Sequence, residues 1–129
     1  MRSDREVFRS GAASEELAAY SRAVRAGSAI AVAGTAALGP DGKALHPGDV
    51  KAQTLEAFAR ALAAVEQLGG SRSGIVRTRI FLAPGADWRG AAEAHHELFE
   101  GIDPANTTLY VAGLIPEGAL VEVEVDAVV

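Results

Sequence analysis

Two strand-like stretches carry charges at alternate positions. In "VEVEVD" (121–126), Glu122, Glu124 and Asp126 share one face, opposite Val121, Val123 and Val125. In "GIVRTRIFL" (74–82), Arg77, Arg79 and Phe81 fall on one face, with Val76, Thr78, Ile80 and Leu82 on the other. Two kinds of chemistry fit. The acids and arginines form a plain cross-strand charge ladder. Alternatively, one carboxylate holds a water beside a guanidinium in a pocket, which suits proton transfer next to an anionic substrate. A third cluster, "EAHHE" (93–97), spaces Glu93 and His96 three apart on a helix face. That spacing suits a shared metal only when a second helix adds ligands. The competing view is a solvated helix face. His46, the third histidine, stands apart in a turn. Finally, "DPANTTLYVAG" (103–113) leads from a proline into a polar triplet and then a strand. Asn106 there is either part of a turn or the lip of a binding site. Asn106-Thr107-Thr108 also fits the N-glycosylation pattern, which has meaning only for a secreted chain. No serine lies in a nucleophile-elbow context and no glycine-rich phosphate loop is present; "GPDG" is a turn.

The composition limits what these residues can serve. The chain of 129 residues suits a single domain, 1–129, with a sizeable core. Apolar residues make up 49% but aromatics only 5%, so small side chains must build the core. Twelve basic residues against 17 acidic ones give a formal charge of −5. With no basic cluster to neutralise phosphates, nucleic acid is not the expected partner. The absence of cysteine removes disulfides, thiolate nucleophiles and zinc–sulfur sites. No apolar run approaches a membrane span, and "MRSDREVFRSGAASEELAAY" lacks the apolar core of a signal peptide. The expectation is a cytoplasmic protein with no membrane partner, no metal and no cofactor.

The elements that must position these residues follow from pattern. "EVFRS" (6–10) reads as a short strand, and "YSRAVRAG" and "SAIAVAGTAAL" as two more joined at Gly27-Ser28. "LGPDGKALHPGD" is turn chemistry. In "DVKAQTLEAFARALAAVEQLGG", Leu55, Phe58, Leu62 and Val65 recur at helical spacing, with Asp49 as cap and Gly69-Gly70 as stop. A strand over 75–82 and a second helix capped by Asp87 follow. Pro104 then introduces two last strands, "TTLYVAGL" and "ALVEVEVDAVV". The order β-β-β-α-β-α-β-β gives an α+β fold, a mixed sheet with two helices on one face. If helices cover the valine face of the last strand, its acidic face meets water or another subunit.

Taken in order, "YSRAVRAG", "AVAGTA", "DVKAQTLEAFARALAAVEQLGG", "GIVRTRIFL" with "ADW", and "PANTTLYVAGLIPEGALVEVEVDAVV" resemble the Rid family. Its members are the reactive intermediate deaminases, also called RidA, YjgF or endoribonuclease L-PSP. The resemblance spans roughly residues 17–129. It implies a chorismate-mutase-like fold and a homotrimer around a central barrel, with ligand sites in three clefts between subunits. It also implies hydrolysis of imines and enamines such as 2-aminoacrylate to a keto acid and ammonia.

Residue by residue, the resemblance makes Tyr20 a cleft-lining tyrosine and Glu122 the carboxylate that holds the attacking water. Gly34 becomes the glycine whose backbone approaches the ligand, and Thr108 a contributor of a backbone carbonyl. Asn106 stands where deaminating members place an arginine that clamps the substrate carboxylate. Ala92 lies near a position where many members carry asparagine. An amide cannot supply a bidentate, charge-assisted clamp, so the chain is most similar to subgroups lacking that arginine. Either Arg79 or Arg22 replaces the cation, or Asn106 donates hydrogen bonds to a less charged substrate. The expectations are therefore a trimer that binds small imine, enamine or keto-acid ligands and hydrolyses reactive imines with weakened carboxylate recognition. The alternatives are a binding trimer without catalysis and, third, an endoribonuclease.

Overall fold

The computed structural model describes residues 4–129. Six strands form one sheet: β1 (Arg5–Phe8), β2 (Ala23–Ala26), β3 (Ala29–Thr35), β4 (Ile75–Leu82), β5 (Ala105–Tyr110) and β6 (Val121–Val128). The helices are α1 (Ala13–Ala18), α2 (Val50–Gln67) and α3 (Trp88–Phe99). The sheet order is β1-β2-β3-β6-β4-β5, so the last strand runs through the middle. Only β4 and β5 are parallel, and α3 makes the crossover that a parallel pair requires.

β6 shows why the sheet has one dry face. Val121, Val123 and Val125 are fully buried, whereas Glu122, Glu124 and Asp126 are partly exposed on the other side. α2 packs over the apolar side, against β6, β3 and α3. Its N-cap is Asp49, whose side chain accepts from the Ala52 amide at 3.0 Å. At the far end Gly69 takes a left-handed φ of 87°. Gly70 then passes so close to Val65 and Ile30 that a Cβ would overlap both.

Four features differ from the expectation. First, the buried stripe of α2 is carried by Ala57, Ala61 and Ala64 together with Phe58 and Val65. Leu55 and Leu62 only flank it. Alanines let the helix axis approach the sheet, and the larger leucines fill the margins. Second, Val76 is half-exposed and does not share the face of Thr78, Ile80 and Leu82. A register shift against β6 between Ile75 and Arg77 turns it outward. Third, α1 was not foreseen, because six residues are too few to display a helical period. Fourth, β2 starts only at Ala23, so Tyr20 and Arg22 lie on the approach to the strand.

Candidate functional site

A bulge in β3 opens the sheet beside Glu122. Val32 pairs with Val125 and Thr35 with Val123, so β3 carries one residue more than β6 over this span. The extra length brings Gly34 against Glu122, where a Cβ on Gly34 would overlap the carboxylate. An open depression of about 970 Å³ lies over this point. Its walls come from the residues of α1 and the segment before it, the turn at 38–42, one side of α2, and Ile115-Pro116.

Arg22 organises the floor. Its Nη1 donates to the Gly34 carbonyl at 2.5 Å and to Thr35 Oγ1 at 3.3 Å. Its Nη2 donates to Tyr20 Oη at 3.4 Å and lies 3.6 Å from the Glu15 carboxylate. The guanidinium also stands over the Tyr20 ring, 5.6 Å from its centroid. Tyr20 Oη in turn meets Ser14 Oγ at 2.8 Å, which ties α1 to the rim. Glu15 is almost fully buried. It accepts from the Ser10 amide at 3.0 Å and, over a short contact, from the Ser10 hydroxyl. Burial by itself would raise the Glu15 carboxyl, but Ser10 and the Arg22 charge outweigh it and hold the group below its ordinary value.

Glu122 shows the opposite balance. Burial pushes its pKa up, Arg22 pulls it part of the way back, and Glu124 adds to the rise. Arg22 acts on it through charge, with no hydrogen bond between them. A half-buried carboxylate facing an open depression, its pKa raised by burial, has the chemistry of a proton acceptor.

Of the residues singled out in the sequence, the structure brings together Tyr20, Gly34 and Glu122, with Arg22 among them. It does not bring Arg79, Asn106 or Thr108 to this point within one chain. Arg79 lies opposite Glu124 in the ladder and pairs with Glu124 at 3.4 Å and Asp126 at 3.3 Å. All three side chains are about one-third exposed, so each pair contributes about 0–1 kcal/mol.

Asn106 aligns with Thr78 across the parallel β4–β5 pair and points to the helix-covered side, away from Glu122. Its Nδ2 donates to Thr78 Oγ1 at 3.1 Å, and its Oδ1 accepts from Thr108 Oγ1 at 2.9 Å. Thr78 Oγ1 also meets His95 Nε2 at 2.8 Å. With Thr78 accepting from the amide, its own proton is directed to His95, whose Nε2 then accepts. Burial lowers the His95 pKa, in keeping with a neutral ring packed between Phe58 and Phe99. His96, one residue on, is exposed and lies 3.7 Å from Glu100. Glu93 faces Lys51 at 3.9 Å. Among the described residues no three histidine or carboxylate side chains cluster as metal ligands.

Sequence reasoning missed Glu15 and Ser10. Glu15 looks like any solvated charge in "ASEELA", and only the fold of the chain onto Arg22 buries it. Arg60 was missed for a similar reason. Its helix position suggests solvent, yet its Nη1 donates to the Leu38 carbonyl at 2.6 Å on the pocket wall.

The family model described as Endoribonuclease L-PSP matches residues 10–129. An uncharacterized protein of Streptomyces coelicolor is 40% identical over 118 residues, covering 92% of this chain and 87% of that protein. A 2-iminobutanoate/2-iminopropanoate deaminase of Rattus norvegicus is 30% identical over 124 residues, covering 96% and 90%. A crystal structure of a member of the YjgF/YER057c/UK114 family from Mycobacterium tuberculosis superposes with a TM-score of 0.86 at 38% identity. The match covers 97% of this chain and 99% of that one.

Proposed function

Because the chain belongs to the Endoribonuclease L-PSP family, the Rid/YjgF group, we propose that it hydrolyses small reactive imines or enamines, with Glu122 as the proton-accepting group. The observation that carries this is the Glu122 carboxylate itself: half-buried, raised by burial, and facing an open depression beside Gly34 and Arg22. Relatives named 2-iminobutanoate/2-iminopropanoate deaminase support the reaction class.

The chemistry asked of the site is brief. Glu122 accepts a proton from a water as the water oxygen bonds to the imine carbon, and the C=N π electrons move to nitrogen. The resulting carbinolamine collapses when the oxygen electrons reform C=O. The proton held by Glu122 passes to the nitrogen, Glu122 then takes the hydroxyl proton, and delivery of this second proton to nitrogen as the C–N bond breaks gives a carbonyl compound and ammonia. Tyr20 and the Gly34 backbone shape the wall near the reacting carbon. In this proposal a second subunit of a homotrimer closes the cleft.

The test is ammonia release from 2-iminopropanoate and from carboxylate-free imines, by wild type and Glu122→Gln. Loss of a positioned acid–base group costs about 10²–10⁴-fold in rate, and a fall of that size is expected in the glutamine variant. Equal rates in the two proteins would refute the role given to Glu122.

A second reading is a trimer that binds such ligands without turning them over. It is favoured by Asn106, a neutral amide already engaged by Thr78 and Thr108. Ligand binding with no ammonia release from any imine would select it. The endoribonuclease reading is disfavoured by the net charge of −5.

A further inference from the structure

The charged groups on the walls of the Glu122 depression are Arg22, Arg60, Asp41 and Glu122. Each arginine is already matched from behind. Glu15 stands 3.6 Å from Arg22, which also donates to Gly34, Thr35 and Tyr20. Glu56 stands 3.0 Å from Arg60, which also spends a donor on Leu38. With these two partners counted beside the wall carboxylates Asp41 and Glu122, two cations stand against four carboxylates within one chain, and the excess is negative. Asp41 is exposed in its turn, held by the Lys43 amide at 3.0 Å. Lys43, the nearest further cation in sequence, pairs with Glu117 at 3.7 Å. The Arg22 side chain retains only 12% exposure, so a ligand meets little of it. The rest of the lining is apolar or small: Phe8, Ala36, Leu38 and Ile115 among others.

Resting on the hydrolase reading above, we propose that this pocket selects imines that carry no carboxylate, taking neutral or protonated imines with a short aliphatic or amide-bearing skeleton. A substrate carboxylate would enter a wall whose two guanidiniums are each already paired with a carboxylate and whose surplus charge repels it. A protonated imine nitrogen instead carries donors and positive charge toward Glu122, which lacks a hydrogen-bonded cation of its own. Asn106 does not reverse this balance, because it is uncharged and its amide is committed on the opposite side of the sheet.

The test uses stable probes that differ only in charge: pyruvate and pyruvamide, titrated into the wild-type protein with chemical-shift or calorimetric readout. A hydrogen bond to a charged group is worth about 1.5–3 kcal/mol, roughly a ten- to hundredfold change in affinity. Pyruvamide is accordingly expected to bind about tenfold or more tightly than pyruvate. Pyruvate binding as tightly as pyruvamide, or no binding of either, overturns the inference. Ammonia release from 2-iminopropanamide and 2-iminopropanoate is measured alongside. Preference for the amide probe with neither imine hydrolysed keeps the charge selection and removes the hydrolase reading. Glu15→Gln strips the counter-charge from Arg22 and is expected to raise pyruvate affinity severalfold relative to pyruvamide. Glu56→Gln, at the surface, is expected to do the same through Arg60 if the buried substitution fails to fold. An unchanged ratio in both folded variants also overturns the inference.

Discussion

Gly34 and Glu122 form one unit. The glycine is needed for space rather than for φ, because its missing Cβ leaves the position of the Glu122 carboxylate free. Gly34→Ala must therefore displace either the carboxylate or the bulge of β3. Overpacking of this kind costs about 1–3 kcal/mol. Denaturant midpoints are expected to fall by that amount, and ammonia release to fall with the carboxylate's displacement. Full stability and full activity in Gly34→Ala would show that the close approach is unimportant. Sequence made Glu122 legible, since alternation fixes its face. It could not show that Arg22, Glu15 and Ser10 converge beneath it, because their contacts depend on how α1 and the approach to β2 fold over the rim. Asn106 illustrates the same limit from the other side. The resemblance implied a missing cation there, but only register with Thr78 reveals that the amide braces β5 toward His95.

Elements were read best where period and caps agreed. α2 has both, with Asp49 opening it and Gly69-Gly70 closing it. Its buried face was misjudged by size, because the eye follows Leu55 and Leu62 while the sheet selects Ala57, Ala61 and Ala64. Close packing at these alanines sets the helix height, and with it the position of Arg60 against the pocket wall. Ala61→Leu is expected to cost about 1–3 kcal/mol through overpacking, seen as a lower unfolding midpoint. Ala59→Leu, at an exposed position of the same helix, is expected to change the midpoint little. Similar effects from both substitutions would mean that the alanine stripe is incidental. The bulges of β3 and β4 had no signal in composition, since a single extra residue leaves strand alternation almost intact on either side. α1 escaped for want of length.

At the scale of the molecule, the sheet has an uncovered face and an uncovered edge. Glu124, Asp126 and Arg79 lie about one-third exposed on that face, and every residue of β5 is exposed at the edge. Leu109 and Val76 add apolar exposure of 41% and 50%. The expected assembly is a trimer, and light scattering at micromolar concentration should give three times the chain mass. A monomer would remove the shared cleft from the account. The fold class was legible in the ordered motifs, whereas the assembly stays a proposal because no single chain displays its neighbours. The central claim, that Glu122 accepts the proton in imine hydrolysis, is tested most directly by the pH–rate profile of ammonia release. A base works in its ionised form, and burial raises this carboxyl above its ordinary value. The rate should therefore be low in acid and rise with pH along a limb displaced upward from an ordinary carboxylate. In Glu122→Gln that limb should vanish along with most of the activity. A wild-type limb that survives unchanged in Glu122→Gln would contradict the account.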